Sequence, residues 1–234
     1  MPRQTLEKAE VVIIRTLIEI IVLNTDNGTL LARLSAPGIN WQLLTNLASL
    51  HELCPFLYFL TLSSPELIPD DYRGYYKEAY LSCLFTYEAL HQEMLRINSR
   101  AQKENITLIP LKGLSFVDQY YQRFNFRPLS DIDLLVHKSS LTAALTLLEQ
   151  DGYRKHLLGT TEGYWRTHQC HLGLLKHSSP EDILTEVHWE IDVNRYKKEV
   201  LASSWQRLKR IRVGENEVTV LSPEDALFSL ALHA

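Results

Sequence analysis

The hydrophobic period of this chain changes once, near residue 104, and that change limits the available folds more than any other feature of the sequence. Before it, apolar residues recur at steps of three and four. Trp41, Leu44, Leu47 and Ala48 make one stripe, and Cys83, Tyr87, Leu90, Met94, Ile97 and Ala101 make a longer one. Such spacing lines one face of a helix. Pro55, Pro65 and Pro69 fall where loops between helices are expected. The apolar run Val11 to Leu23 is interrupted by Arg15 and Glu19. Its Ile14, Leu17, Ile18 and Ile21 share a helical face, so it reads as an amphipathic helix and not as a targeting or membrane segment.

From Asn105 the pattern becomes that of short strands and helices in alternation. Ile106 to Leu111 is β-prone and ends in Lys112-Gly113. A helix is expected over Leu114 to Arg123, a loop at Pro128, and a strand over Ile132 to Val136. The next helix takes Ser139 or Ser140 as its N-cap and has Gly152 just past its end. His168 to Leu175 and Ile183 to Trp189 read as strands joined across Ser178-Ser179-Pro180-Glu181-Asp182, and Ile211 to Val213 and Val218 to Leu221 read as a second hairpin around Gly214-Glu215-Asn216. Ser222-Pro223-Glu224-Asp225 has the cap, proline and acids of a helix start. That helix reaches only to Ala234, so the chain reads as a fragment or as a protein with a short last helix. Pro110 removes a ladder donor and suits an edge strand. The expected class is α+β, with a helical region over residues 1–104 packed on a mixed-sheet core over residues 105–234.

Charge narrows the ligands. The formal net charge of −4 lacks the basic field that tracks a nucleic-acid backbone, so no extended nucleic-acid groove is expected. A small anion needs only one or two local cations and a metal. Cys54, Cys83 and Cys170 are few, scattered and odd in number. They read as reduced thiols of a cytoplasmic protein with no membrane partner.

The chemistry concentrates in Ser130-Asp131-Ile132-Asp133-Leu134. Strand side chains alternate, so Asp131 and Asp133 point one way while Ile132 and Leu134 point into the core. Paired carboxylates repel unless a cation lies between them, and a hard dication suits them. In Thr185-Glu186-Val187-His188-Trp189-Glu190, alternation puts Glu186, His188 and Glu190 on one face, with Val187 and Trp189 on the other. One carboxylate from that strand would complete a site for two metals, able to bind a triphosphate and activate a hydroxyl. Upstream, Gly113 permits a close backbone approach at a helix N-terminus, which favours an anion, and Lys112 adds positive charge there. Arg127 is a second candidate phosphate contact. Each feature alone has an ordinary structural reading as solvated acids or a turn. Their order along the chain is what joins them.

In that order, "IPLKGLSF", "FRPLSDIDLLV", "LTEVHWEI" and "LSPEDALFSLALHA" resemble the uncharacterised nucleotidyltransferase family of the DNA polymerase β-like superfamily, over roughly Trp41 to Ala234. The resemblance implies a polymerase β-like mixed-sheet core with helices packed on it. It implies metal binding at Asp131 and Asp133, a third carboxylate at Glu186, and triphosphate contact near Lys112, Gly113 and Ser130. The chain departs from the superfamily at Lys112-Gly113-Leu114-Ser115, where a Gly-Ser or Gly-Gly pair usually grips the triphosphate. The expected activity is transfer of a nucleoside monophosphate from ATP or another triphosphate to a hydroxyl on a small molecule, sugar, RNA or protein. Two magnesium ions, with manganese as the alternative, would serve it. The competing expectation is an inactive nucleotide-sensing or partner-binding module of the same fold.

Two further groups carry alternatives. His168, Cys170, His171 and His177 lie close in sequence, but their spacing matches no standard zinc pattern and alternation separates His168 and Cys170 from His171 and His177. His188 is either an acid/base or phosphate contact beside Glu186, or a hydrogen-bonded histidine beside Trp189. Tyr72, Tyr75, Tyr76 and Tyr80 are expected to pack between helices. There is no Gly-x-Ser-x-Gly elbow, P-loop or dinucleotide fingerprint.

Overall fold

The computed structural model describes residues 8–120, 125–178, 182–191 and 202–233. They divide into two compact units: Met1–Thr86 with Phe124–Pro128, and Tyr87–Arg123 with Leu129–Ala234.

The first unit is helical, as the three-and-four spacing predicts: α1 (Ala9–Leu23), α2 (Gly28–Leu34), α3 (Trp41–Leu50), α4 (Cys54–Leu60) and the start of α5 (Asp70–Lys103). The buried stripe of α1 is Ile13, Ile14, Leu17 and Ile20, while Ile18 is exposed. The face expected from Ile14, Leu17, Ile18 and Ile21 is therefore rotated, because Ile13, Leu17 and Ile20 also recur at steps of four and three. Glu10 sits buried on α1, where its Oε1 accepts from the Asn40 backbone N–H at 2.7 Å. Asn40 in turn caps α3 by accepting from Leu43 N. Two of the tyrosines pack between helices as expected, Tyr76 fully buried with its hydroxyl 2.7 Å from Thr45 Oγ1 and Tyr80 against Tyr58 and Phe126, whereas Tyr75 is exposed. Among the described residues no single helix is long and apolar enough to cross a membrane.

The second unit holds a five-stranded mixed sheet in the order β1-β2-β5-β4-β3. Its strands are β1 (Leu108–Pro110), β2 (Asp131–Val136), β3 (Arg154–Lys155), β4 (His171–Lys176) and β5 (Ile183–His188). Among the described residues only β2 and β5 run parallel; β1–β2, β3–β4 and β4–β5 are antiparallel. Pro110 lies on the edge strand β1, where a missing donor costs no ladder bond. One sheet face carries Ile132, Leu134, Val136, Leu172, Leu174 and Val187 into the main core, with Leu90, Met94, Ile97 and Ala101 of α5 and Ala144, Leu145 and Leu148 of α7 (Leu141–Gln150). The other face buries Ile109 and Leu135 beneath Leu111, Leu221 and Ala226, with Phe116 and Leu232 against them. Phe116 belongs to α6 (Lys112–Tyr120), and Ala226 and Leu232 belong to the last helix, Pro223–His233. A separate hairpin, β6 (Lys209–Val213) with β7 (Asn216–Val220), is pinned to α5 where Asn98 and Gln102 donate to the Glu217 carbonyl.

A polar chain crosses the main core. The Tyr153 hydroxyl accepts from Thr185 Oγ1 at 3.3 Å and donates to Glu93 Oε1 at 2.9 Å. Glu93 also accepts from Lys176 Nζ and from two guanidinium nitrogens of Arg96. Burial works against the Glu93 charge, but these donors prevail and hold its carboxyl down to about 2.

Several boundaries differ from those expected. Helix α6 begins at Lys112 and not at Leu114. The turn before α7 is a 3-10 turn over Lys138–Ser140, and its cap is His137, whose ring accepts from Ser139 N; Ser140 makes no cap bond. His168 ends helix α8 (Glu162–His168), so β4 starts at His171. Gly152 stands past α7 with φ +89°, the left-handed position glycine tolerates. The last helix begins as expected, with Ser222 Oγ accepting from Asp225 N at 3.2 Å.

Candidate active site

The site is built from the ends of β2 and β5 and the first turn of α6. In the parallel pair, Asp133 lies opposite Glu186, Asp131 opposite Leu184, and Leu135 opposite His188. Paired residues point to the same side of a sheet, and side chains two apart along a strand do so as well. Asp131, Asp133, Glu186 and His188 thus share a face, opposite to Ile132, Leu134 and Val187 in the core. In β4, His171 pairs with His188 and brings a second imidazole to the same face.

Asp133 is the hub. Its Oδ1 receives His188 Nε2 at 2.8 Å and Lys112 Nζ at 3.3 Å. His188 Nε2 also lies 3.5 Å from Glu186 Oε2, and His171 Nε2 lies 3.6 Å from Glu186 Oε1. Ser130 Oγ donates to Asp131 Oδ1 at 3.2 Å. His188 is 1% exposed. Burial opposes its charged form, but hydrogen bonds to Asp133, Cys170 and Glu186 override that and push it up to about 10. Of the two readings of His188, the structure shows a buried, hydrogen-bonded histidine, and two of its partners are carboxylates.

The acids respond differently. Burial raises Asp133, yet the His188 hydrogen bond and the charges of His188 and Lys112 bring it below its ordinary value. The His188 hydrogen bond lowers Glu186 against the effect of burial. Asp131 moves upward, first through burial and then through the negative charges of Asp133 and Glu186. Three carboxylates against Lys112 and a protonated His188 leave one net negative charge, and Asp131 bears the repulsion. A dication relieves that repulsion. Asp133, Glu186 and His188 present ligand atoms within 4.8 Å of one another, and the carboxylate oxygens suit magnesium or manganese.

Lys112 reaches the hub because of its backbone. Its φ is +42°, a left-handed conformation that bends the chain between β1 and α6, while Leu111 N donates to Asp133 O at 2.9 Å. Gly113 follows in the first turn of α6. A Cβ there would stand 2.6 Å from Leu129 Cδ2, so the close approach is to a leucine side chain. Arg127 belongs to the first unit, where it is half-buried.

Cys170 and His171 are the neighbours that sequence alone did not join to these carboxylates. Cys170 is buried, with its Sγ 3.7 Å from His171 Nδ1. Burial would raise its thiol, but hydrogen bonds with His171 and His188 bring it down to about 7. The alternation that separates Cys170 from His171 does not operate, because Cys170 is a bend before β4 begins. His168 stacks on Tyr164 in α8, and His177 pairs with Asp182 at 2.9 Å. The readable signal was the hairpin itself, which sets His171 opposite His188.

Comparison with known proteins adds the family. No curated protein and no solved structure matches the chain. A family profile described as "Uncharacterised nucleotidyltransferase" matches residues 37–234, which takes in the whole sheet and every residue of the carboxylate site. With its mixed α/β core and its three acids on one sheet face, the chain belongs to this uncharacterised nucleotidyltransferase family, whose class of activity is nucleotidyl transfer.

Proposed function

We propose that the chain moves a nucleoside monophosphate from a nucleoside triphosphate to a hydroxyl-bearing acceptor. The observation that carries this reading is the register of β2 against β5, which sets Asp133 opposite Glu186 with Asp131 on the same face. Asp131, Asp133 and Glu186 are the residues that would hold two magnesium or manganese ions. Bound there, the metal would neutralise triphosphate charge and acidify the acceptor hydroxyl. The chain's own groups do the rest. Lys112, now on Asp133 Oδ1, exchanges that partner for β- and γ-phosphate oxygens. The backbone at Gly113 and the Ser130 hydroxyl supply the remaining triphosphate contacts in this reading. His188 orients Asp133 through its 2.8 Å bond and keeps Glu186 ionised, so that Glu186 can take the acceptor proton. Catalysis comes mainly from positioning and charge neutralisation.

The test is incubation with each labelled triphosphate and magnesium, with and without cell extract as an acceptor source, reading label transfer and pyrophosphate release. Asp131→Asn should stay folded and lose transfer by roughly a hundredfold or more, the scale of removing a principal electrostatic stabiliser. Transfer by that variant at the parental rate would remove Asp131 from the site. One observation favours the second reading, a nucleotide-sensing module: Lys112 and His188 already neutralise Asp133 from within the chain. That reading gives no transfer with any acceptor, and variants that change affinity alone.

A further inference from the structure

The β4–β5 hairpin carries a second donor set that nucleotidyl transfer does not use. Cys170, His171 and His188 each offer a ligand atom, all within 4.8 Å of one another. We propose that these three residues form a site for a soft or borderline dication, zinc in the first place, on the far side of the two imidazoles from the carboxylates.

The chemistry of the donors sets the ion. A thiolate with two imidazoles selects zinc over magnesium, whereas Asp131, Asp133 and Glu186 offer only oxygen. Two neighbouring sites of opposite preference can thus be filled from one mixture of ions. Tetrahedral zinc, with Zn–S near 2.3 Å and Zn–N near 2.0 Å, places its ligand atoms roughly 3.5 Å apart. The Cys170 sulfur is already 3.7 Å from His171 Nδ1. Drawing in the third donor takes on the order of 1 Å, within reach of side-chain rotation.

The surroundings are those of a built metal site. A histidine ligand commonly gives its second nitrogen to a carboxylate, which fixes ring orientation and raises basicity. His188 does so here, with Nε2 2.8 Å from Asp133, while His171 Nε2 lies 3.6 Å from Glu186, just outside hydrogen-bond reach. The metal would take the other nitrogen of each ring. The backbone is fixed as well, because Trp189 N donates to Cys170 O at 3.0 Å and His171 pairs with His188. Trp165 closes one side, edge-on to His171 at 5.7 Å between ring centres. Cys170 and His188 are buried while the His171 side chain is 24% exposed, which gives the ion an entry and leaves a fourth position for water.

The test uses the full chain, stripped with chelator and titrated with cobalt(II) in excess magnesium. The expected result is stoichiometric binding with a thiolate-to-cobalt charge-transfer band, displaced by zinc. Cys170→Ser should abolish the band with the far-ultraviolet circular dichroism unchanged. His171→Ala should weaken affinity by more than the roughly 10–100-fold typical of losing a partner behind a ligand. Asp131→Asn, which leaves all three donors in place, should keep the band. Cobalt binding without a thiolate band, or a band that survives Cys170→Ser, overturns the proposal. If Cys170→Ser does not fold, zinc protection of Cys170 from alkylation in the parent decides: equal labelling with and without zinc refutes the site. None of these readouts involves a triphosphate, so the outcome is separate from that of the transfer assay.

Discussion

Replacing Glu93 by glutamine tests whether the polar chain beneath β5 stabilises the fold through charge. Its carboxyl stands at about 2 in the folded protein against an ordinary 4.5. At about 1.4 kcal/mol for each pH step, that difference corresponds to roughly 3 kcal/mol at neutral pH. Arg96 is 43% exposed, so solvent screens its share, and a loss of about 2 kcal/mol is the better expectation. The sign follows from the downward displacement. The unfolded chain binds a proton more readily, so the stabilisation is present above the unfolded value of 4.5 and is lost as pH falls toward 2. Roughly half should be gone by about pH 3. Glutamine keeps the size and can still accept from Tyr153, so the change isolates the charge. Urea unfolding of parent and Glu93→Gln, followed by tryptophan fluorescence at neutral pH and at successively lower pH, measures the gap. A gap that does not narrow on acidification would refute the electrostatic account and leave packing as the cause.

Magnesium with a triphosphate should raise the melting temperature more than either alone, because a ligand that binds only the native state stabilises it; equal shifts without magnesium would put the nucleotide elsewhere. Lys112→Ala should weaken triphosphate affinity in titration calorimetry while leaving magnesium or manganese binding nearly intact, and unchanged nucleotide affinity would remove the lysine from the phosphate site. Gly113→Ala puts a methyl against the end of the half-buried Leu129 side chain, which must turn aside, and should cost about 0.5–1.5 kcal/mol in urea unfolding. Leu129→Ala in the same chain should return part of that loss, and strict additivity would show that the contact is not the cause.

Local regularities were legible in the sequence; long-range register was not. The α5 stripe from Tyr87 to Ala101 and the shared face of Asp131 and Asp133 depend only on the repeat of a helix or a strand, and both are found. The bond between His188 and Asp133 depends on how β5 slides along β2, which nothing in either segment specifies. Cys170 escaped because a bend interrupts the alternation by one residue. Lys112 was legible as a cation at the helix start, but its contact with Asp133 was not, because a left-handed lysine follows from the strand-to-helix turn and not from any preference of lysine. Gly113 was legible as a point of close approach, but its neighbour was not, because Leu129 arrives from beyond the following loop.

The single parallel pairing has a consequence for how the protein acquires its chemistry. Cys170, His171, Glu186 and His188 lie on one hairpin, whose closure spans few residues and is fast. Asp133 joins Glu186 only across 53 positions (186 − 133), with α7, β3, α8 and β4 in the interval. Parallel pairing at such separation is slow, because the chain entropy of closing the interval is lost before the contacts form. During folding, or on a ribosome that has released β2 but not yet β5, the aspartates are therefore without their glutamate and histidine. By contact separation, the imidazole and thiol side of the site should assemble first, and the carboxylates should come together only when β5 pairs with β2.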